Sequence, residues 1–295
     1  MNTLVMDHEE TFLLITKSAK PFTIPDNLNY VRDRPLSKEE WESSFDSKGK
    51  IIDPNAVRTR IFFGGVSPEI RPAVWKFLLN CYSWESTAEE REVTLKEQKD
   101  LYYKMKATWT NLTTDMENNF TDYLKRKDQI EKDIIRTEVV NPDLNEEEAL
   151  ELLRSILRTH CFYNWDLGYV QGMNSFLSTV LLYYTVEEEA FWSFAGTMKI
   201  HGQNFALDQT NLYKKLLLLA KLTAYLSPSL FAHLNSISST HMLFAYKWML
   251  INFVDYFPDR ISDLWEVFWT NHLHKDFYVF FAVAILLQNE QIIVR

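Results

Sequence analysis

Glycine is scarce in this chain: 7 residues among 295, roughly a third of the ~7% usual in globular proteins. Tight β-turns and phosphate-cradling loops consume glycine, because they need positive φ or close approach of the backbone. A chain poor in glycine and rich in Leu, Phe and Trp is expected to be a stack of helices. With 46% of its residues hydrophobic and 24% charged, it can bury a substantial core.

Charge and cysteine usage narrow the function. A net charge of −9 disfavours nucleic acid as a ligand, since phosphate binding needs a basic face. Cys81 and Cys161 form no CxxC and no disulfide framework, which fits a reducing cytosol. The longest apolar run, Phe277 to Leu287, is too short to span a bilayer and reads as a buried core helix. No lipid-anchor motif is visible, so no direct membrane insertion is expected.

Residues 1–36 are interrupted by Pro21, Pro25 and Pro35 and read as an extended arm. Residues 37–295 read as one helical domain. Ser37 with Glu40 and Thr87 with Glu90 fit capping boxes, in which a side-chain oxygen and a following Glu satisfy free amides reciprocally. Asn145 and Thr185, each followed by acidic residues, suggest two further helix starts that suit the positive end of the helix dipole. Ser67-Pro68 resembles an N-cap with proline at the first helical position, although Pro72 moves the regular helix to near Arg71. Residues 88–135 predict one or two long surface helices.

Apolar residues then recur at helical spacing, first in 150–157 and 173–181. The pattern continues in 191–205, 212–226, 242–253, 261–269 and 277–287. No alternating strand series appears. The fold class is all-α, an irregular arrangement of on the order of a dozen helices with no significant β-sheet.

Several chemistries are missing. There is no GxxxxGK(S/T) loop to hold a nucleotide and no GxSxG nucleophile elbow. His272 and His274 form the one HxH, but zinc ordinarily takes three or four protein ligands, so no metal site is expected there.

Two segments stand out. In Ile130-Glu-Lys-Asp133-Ile-Ile-Arg136-Thr137, helical spacing places Asp133, Arg136 and Thr137 on one face. An Asp beside an Arg is ordinarily a surface ion pair worth ~0–1 kcal/mol; the alternative is that Asp133 aims the Arg136 guanidinium at a phosphate. In Gly168-Tyr169-Val-Gln171-Gly172-Met173-Asn174, two of the few glycines bracket a glutamine just before an apolar helix. Such a loop-to-helix junction presents side chains and free backbone amides; the plain alternative is an ordinary turn and cap.

Together these segments resemble the signature of the TBC-domain GTPase-activating proteins of Rab GTPases, in which IxxDxxR supplies an arginine finger and YxQ a glutamine finger. Both patterns are present, in the family's order and about 35 residues apart. The resemblance extends to Arg60–Arg71, to Val74-Trp75-Lys76-Phe77-Leu78-Leu79 and Ala190-Phe191-Trp192, and to Lys247-Trp248-Met249-Leu250 and Leu264-Trp265-Glu266. Departures occur at Lys247, where many members have arginine, and at Asp255-Tyr256, where an acidic residue followed by phenylalanine is common. The family domain usually continues for a further helix beyond the point where Arg295 stands, so the C-terminal end reads as truncated.

The resemblance implies an activator with no chemistry of its own, which supplies catalytic residues to a partner. Arg136 stabilises transition-state charge and Gln171 positions the attacking water. Asp133 orients Arg136, while Tyr169, Gly172 and Asn174 shape the Gln171 loop and its contact surface. GTP and Mg²⁺ are held by the partner, and the chain has no cofactor or metal of its own. From about residue 30 onward the chain most resembles the branch acting on Rabs of the late endocytic or vacuolar route. A cytoplasmic protein, peripheral at endomembranes through its Rab partner and regulating vesicle traffic, is the expectation. The competing reading is a helical scaffold that binds a Rab or an adaptor without accelerating hydrolysis. A metal-dependent helical hydrolase is a third reading, resting on His272 and His274 alone.

Overall fold

Ser37, Thr87 and Asn145 each begin a helix through a complete capping box: α1 (Lys38–Ser43), α4 (Ala88–Thr110) and α7 (Glu146–Tyr163). A computed structural model describes residues 31–139 and 141–295, so the arm expected over 1–36 lies largely outside the described residues. Between these starts lie α2 (Pro54–Gly64), α3 (Arg71–Leu78), α5 (Thr114–Asn118) and α6 (Thr121–Ile134). Beyond α7 come α8 (Met173–Leu181), α9 (Glu187–His201), α10 (Thr210–Leu226) and α11 (Pro228–Ser236). The chain closes with α12 (Tyr246–Leu250), α13 (Ile261–Trp269), α14 (Phe277–Gln288) and α15 (Glu290–Ile293). Among the described residues only isolated β-bridges occur, such as Leu36 with Val66. The fold is all-α.

Several expectations shift. The surface stretch 88–135 divides into α4, α5 and α6, with breaks around Leu112 and Phe120. Thr185 does not cap α9: Val186 stands at that position, without a side-chain cap. The acidic residues that follow reach across to α4 instead. Glu187 accepts from Tyr102 and from Lys106 at 2.7 Å, and Glu188 accepts from Tyr103 at 3.0 Å. Ser67 makes no cap bond either; a 3-10 turn at Pro68–Ile70 leads into α3 at Arg71.

The apolar stretch 242–253 is not one helix. Met242, Asn252 and Phe253 all have positive φ (54°, 50° and 68°), which breaks it into a 3-10 turn, the short α12 and a further turn. Here the two departures from the family pattern meet, Lys247 pairing with Asp255 at 2.5 Å.

Helix α8 lies at the centre, packed against α6, α7 and α9. Met173, Phe176, Leu177, Val180 and Leu181 are fully buried, as their spacing predicts. Phe176 stacks on Trp265 of α13 at 5.1 Å and on His201 of α9 at 5.4 Å. A buried ion pair fastens α3 to α13. Glu266 accepts from Arg71 Nε at 2.5 Å, from Trp75 Nε1 at 3.0 Å and from the Val66 amide at 3.1 Å. Burial pushes the Glu266 carboxyl upward, and the Arg71 charge opposes that.

Candidate functional site

Helix α6 ends at Ile134, and Arg136 sits in the turn just beyond it, its amide donating to the Asp133 carbonyl at 3.1 Å. The sequence places Arg136 on the helix itself; the structure places it one residue past the C-cap, Ile135. The contact with Asp133 survives, because a helical turn at the terminus keeps i and i+3 adjacent. Arg136 Nη2 donates to Asp133 Oδ1 at 2.7 Å and Nε donates to the Lys132 carbonyl at 3.0 Å. Ile130 and Ile134, on the neighbouring face, are buried.

The partners differ sharply in exposure: the Arg136 side chain is 64% exposed and that of Asp133 is 3%. This is not the ordinary solvated pair. Asp133 is a buried carboxylate whose oxygens are fully engaged, since Gln129 Nε2 lies 3.2 Å from both of them and Tyr169 Oη donates to Oδ2 at 2.8 Å. A buried carboxylate with several donors is held in one place. The guanidinium it tethers projects outward.

Tyr169 begins the second segment. Burial, reinforced by the bond to Asp133, pushes its phenol well above the ordinary range, so it remains a donor. Its oxygen also lies 3.2 Å from Asn174 Oδ1. Asn174, in the first turn of α8, accepts from the Gly172 amide at 3.1 Å and donates to Thr137 Oγ1 at 2.8 Å. Thr137 Oγ1 donates in turn to the Asp133 carbonyl at 2.7 Å. With the one phenol proton shared between Asp133 Oδ2 and, as the longer arm, Asn174 Oδ1, these contacts close a ring, Asp133–Tyr169–Asn174–Thr137–Asp133, that joins the arginine turn to the glutamine loop. Asn141 Nδ2 donates to the Leu181 carbonyl at the end of α8 at 2.5 Å.

Gln171 stands at the exposed tip of that loop, and its side-chain amide takes no partner among the described residues. Gly172 follows with φ of 101°, a left-handed conformation that glycine adopts without a Cβ penalty. A Cβ there would also stand 3.1 Å from Ile251 Cγ2. The expectation of free backbone amides at this junction is not met for most of the loop. The Gly172 amide is taken by Asn174, that of Met173 by the Val170 carbonyl and that of Ser175 by the Gly172 carbonyl. What the loop offers is the Gln171 side chain.

The structure brings Asp133, Arg136, Tyr169, Gly172 and Asn174 into one hydrogen-bonded assembly, with Gln171 carried on it. Sequence reading missed Gln129. Its signal was available, since Gln129 and Asp133 stand at i, i+4 on one face of α6. His160, fully buried on α7, also supports the loop: burial lowers its pKa to about 4, partly opposed by a hydrogen bond with the Gly168 backbone.

Among the described residues no three His, Cys, Asp or Glu side chains converge as metal ligands. His272 Nδ1 lies 3.2 Å from Thr59 Oγ1, and His274 Nδ1 accepts from the Asp276 amide at 3.0 Å. No helix among the described residues is long and apolar enough to cross a membrane.

Residues 68–294 match the Rab-GTPase-TBC domain family. The chain is 36% identical over 258 residues to TBC1 domain family member 17 of Homo sapiens, covering 86% of this chain and 40% of that relative. It is 33% identical over 283 residues to the GTPase-activating protein gyp7 of Schizosaccharomyces pombe, covering 90% of this chain and 38% of the relative. The chain thus spans about two fifths of the length of these relatives. Among solved structures, the Ypt/Rab-GAP domain of Gyp1p superposes with a TM-score of 0.73 at 19% identity, covering 87% of this chain and 86% of that one. A Chlamydomonas flagellar RabGAP TBC domain gives 0.64 at 19% identity, covering 86% and 79%. These two likenesses speak to fold.

Proposed function

The chain belongs to the Rab-GTPase-TBC domain family, and on that premise we propose that it accelerates GTP hydrolysis by a GTP-bound Rab-family GTPase. The observation that carries the reading is the ring through Asp133, Tyr169, Asn174 and Thr137. It fixes the base of Arg136 and the base of the Gln171 loop in one frame, while both reactive side chains remain exposed.

The chemistry follows from these two groups. Hydrolysis needs compensation for charge growing on the β/γ-phosphate oxygens, and a water placed in line with the bond that breaks. The Arg136 guanidinium is permanently ionised and planar, so it can meet phosphate oxygens with several donors. Nε and one hydrogen of Nη2 are used internally, which leaves both hydrogens of Nη1 and one of Nη2 for a partner. The Gln171 amide can accept from the water while donating to the γ-phosphate. Arginine fingers contribute ~10³–10⁵ in rate. In this reading GTP and Mg²⁺ belong to the GTPase, and the chain supplies residues in trans.

Rabs of the late endocytic or vacuolar route are the first substrates to screen, and such a partner would bring the chain to the cytoplasmic face of endomembranes. Purified chain is to be tested against a panel of GTP-loaded Rabs for both binding and turnover. Acceleration of at least one Rab supports the proposal. Binding without acceleration across the panel replaces it with the scaffold reading.

A further inference from the structure

Helix α6 touches the Gln171 loop at two levels. Near its end, Asp133 receives the Tyr169 phenol at 2.8 Å. Two turns earlier, ~10 Å along the axis at 1.5 Å per residue, Arg126 lies on the same face. Its guanidinium packs over the Trp165 ring, 4.1 Å from the centroid. Trp165 in turn stacks on Phe120, with centroids 4.9 Å apart and planes 24° from parallel.

The guanidinium also abuts Gly168. A Cβ there would stand 2.5 Å from Arg126 Cζ, 2.6 Å from Nε and 2.7 Å from Nη1. Gly168 has φ of 61°, so the loop combines a left-handed turn with a missing side chain to close onto the arginine. Its amide donates to the Asn164 carbonyl at 2.7 Å, which ties the turn to the end of α7. Arg126 Nη1 is buried without a hydrogen-bond partner among the described residues. An unpaired buried N–H is costly, and contact of the cation with the aromatic face offsets part of that cost. A lysine could supply charge here but not a flat surface filling the gap between a ring and a glycine.

We propose that Arg126 is a positioning residue for Gln171: wedged between Trp165 and Gly168, it sets the turn from which the glutamine projects. The proposal rests on the reading of Gln171 as the group that orients the water. Arg126 acts through the loop and not on the nucleotide. Because α6 also carries Asp133 and ends beside Arg136, one helix then registers both functional side chains against each other.

The test is single-turnover GTP hydrolysis on a Rab that the 295-residue chain stimulates, with rates at saturation separated from half-saturating concentrations. The variants are Arg126→Met, Arg126→Lys, Trp165→Phe, Gln171→Ala and the double Arg126→Met/Gln171→Ala. Arg126→Met is expected to lower the saturating rate ~10-fold, as a misplaced group does, with half-saturation nearly unchanged. Trp165→Phe, which keeps a ring for the stack, should recover most of the rate. The double variant should be no slower than Gln171→Ala alone, because both changes remove the same contribution.

Full saturating rate in Arg126→Met overturns the proposal, as does a loss that multiplies with that of Gln171→Ala. If Arg126→Met does not fold, Arg126→Lys carries the same comparison with Gln171→Ala. A Gln171→Ala variant at full rate removes the underlying reading of Gln171, and that failure is seen before Arg126 is altered.

Discussion

Tyr169 donates its phenol proton to the Asp133 carboxylate across 2.8 Å, so the loop that carries Gln171 is bonded to the same buried acid that tethers Arg136. Neither side chain reaches solvent freely: Tyr169 is 8% exposed and Asp133 is 3%. The bond is the direct link between the two halves of the site.

Tyr169→Phe removes that link without changing the packing of the ring. It leaves Asp133 Oδ2 with Gln129 alone, a loss expected to cost ~1–3 kcal/mol. The stimulated rate should fall ~10-fold through the relaxed geometry, with Rab affinity nearly constant. Urea unfolding and single-turnover hydrolysis measure the two effects; an unchanged rate would show that the ring of bonds is dispensable.

Gly172→Ala meets a backbone with φ of 101° and an Ile251 methyl 3.1 Å from the new Cβ. The left-handed conformation alone costs roughly 1–2 kcal/mol for a residue with a side chain. Lower stability accompanied by a lower stimulated rate is expected. Ile251→Ala in the same chain removes the Cγ2 methyl and should relieve the contact but not the conformational cost, and equal stability for Gly172→Ala and the parent chain would contradict this account.

Glu266→Ala should be severe. It leaves the buried Arg71 charge, the Trp75 indole N–H and the Val66 amide without their shared acceptor. Breaking one partner of a buried pair costs ~3–5 kcal/mol. Thermal or urea unfolding of the variant checks this, and a loss below about 1 kcal/mol, the range of a surface pair, would be inconsistent with the burial described.

Acid should destabilise the fold through its buried histidines. Burial holds His160 and His201 neutral down to about 4 and about 3, against an ordinary 6.5. His201 Nε2 accepts from Trp269 Nε1 at 3.2 Å, an arrangement that needs the unprotonated nitrogen. Below pH 6.5 the unfolded chain takes up protons that the folded chain refuses. The stability from neutral burial is therefore complete above pH 6.5 and is lost as pH falls through the folded values. Each group contributes a slope of up to about 1.4 kcal/mol per pH unit in that window. Urea midpoints at pH 7.0, 6.0 and 5.0, taken as sample points across the window, should fall steadily, and His160→Gln should flatten the decline. A slope unaffected by the substitution would assign it to other groups.

Much of this molecule was legible in sequence. Capping boxes at Ser37, Thr87 and Asn145 mark real helix starts because the reciprocal bonds need only residues three apart. The buried face of α8 follows from its spacing. Other elements were hidden by their tertiary context. In α2, Val57 and Ile61 point to the core while Phe62 and Phe63 pack on His272, so its apolar residues form no single stripe. Ser227-Pro228 opens α11 with Ser227 accepting from the Leu230 amide at 3.2 Å, whereas the same dipeptide at Ser67-Pro68 makes no such bond. The dipeptide alone could not separate the two outcomes.

At the site, residue types and order were readable, but the joining of the segments was not. Arg136 lies past the end of α6, and Arg126 is paired to the 164–172 segment by its contacts with the Trp165 ring and with Gly168. Such contacts depend on how α6 and the 164–172 segment meet, which no local pattern encodes.

The most direct test of the central claim is single-turnover GTP hydrolysis on a responsive Rab with the parent chain, Arg136→Ala and Gln171→Ala. Both side chains are exposed, so circular dichroism should report an unchanged fold in each variant. The account predicts that each substitution removes most of the acceleration, with Arg136→Ala losing on the order of 10³-fold or more. Full acceleration in both variants would contradict it.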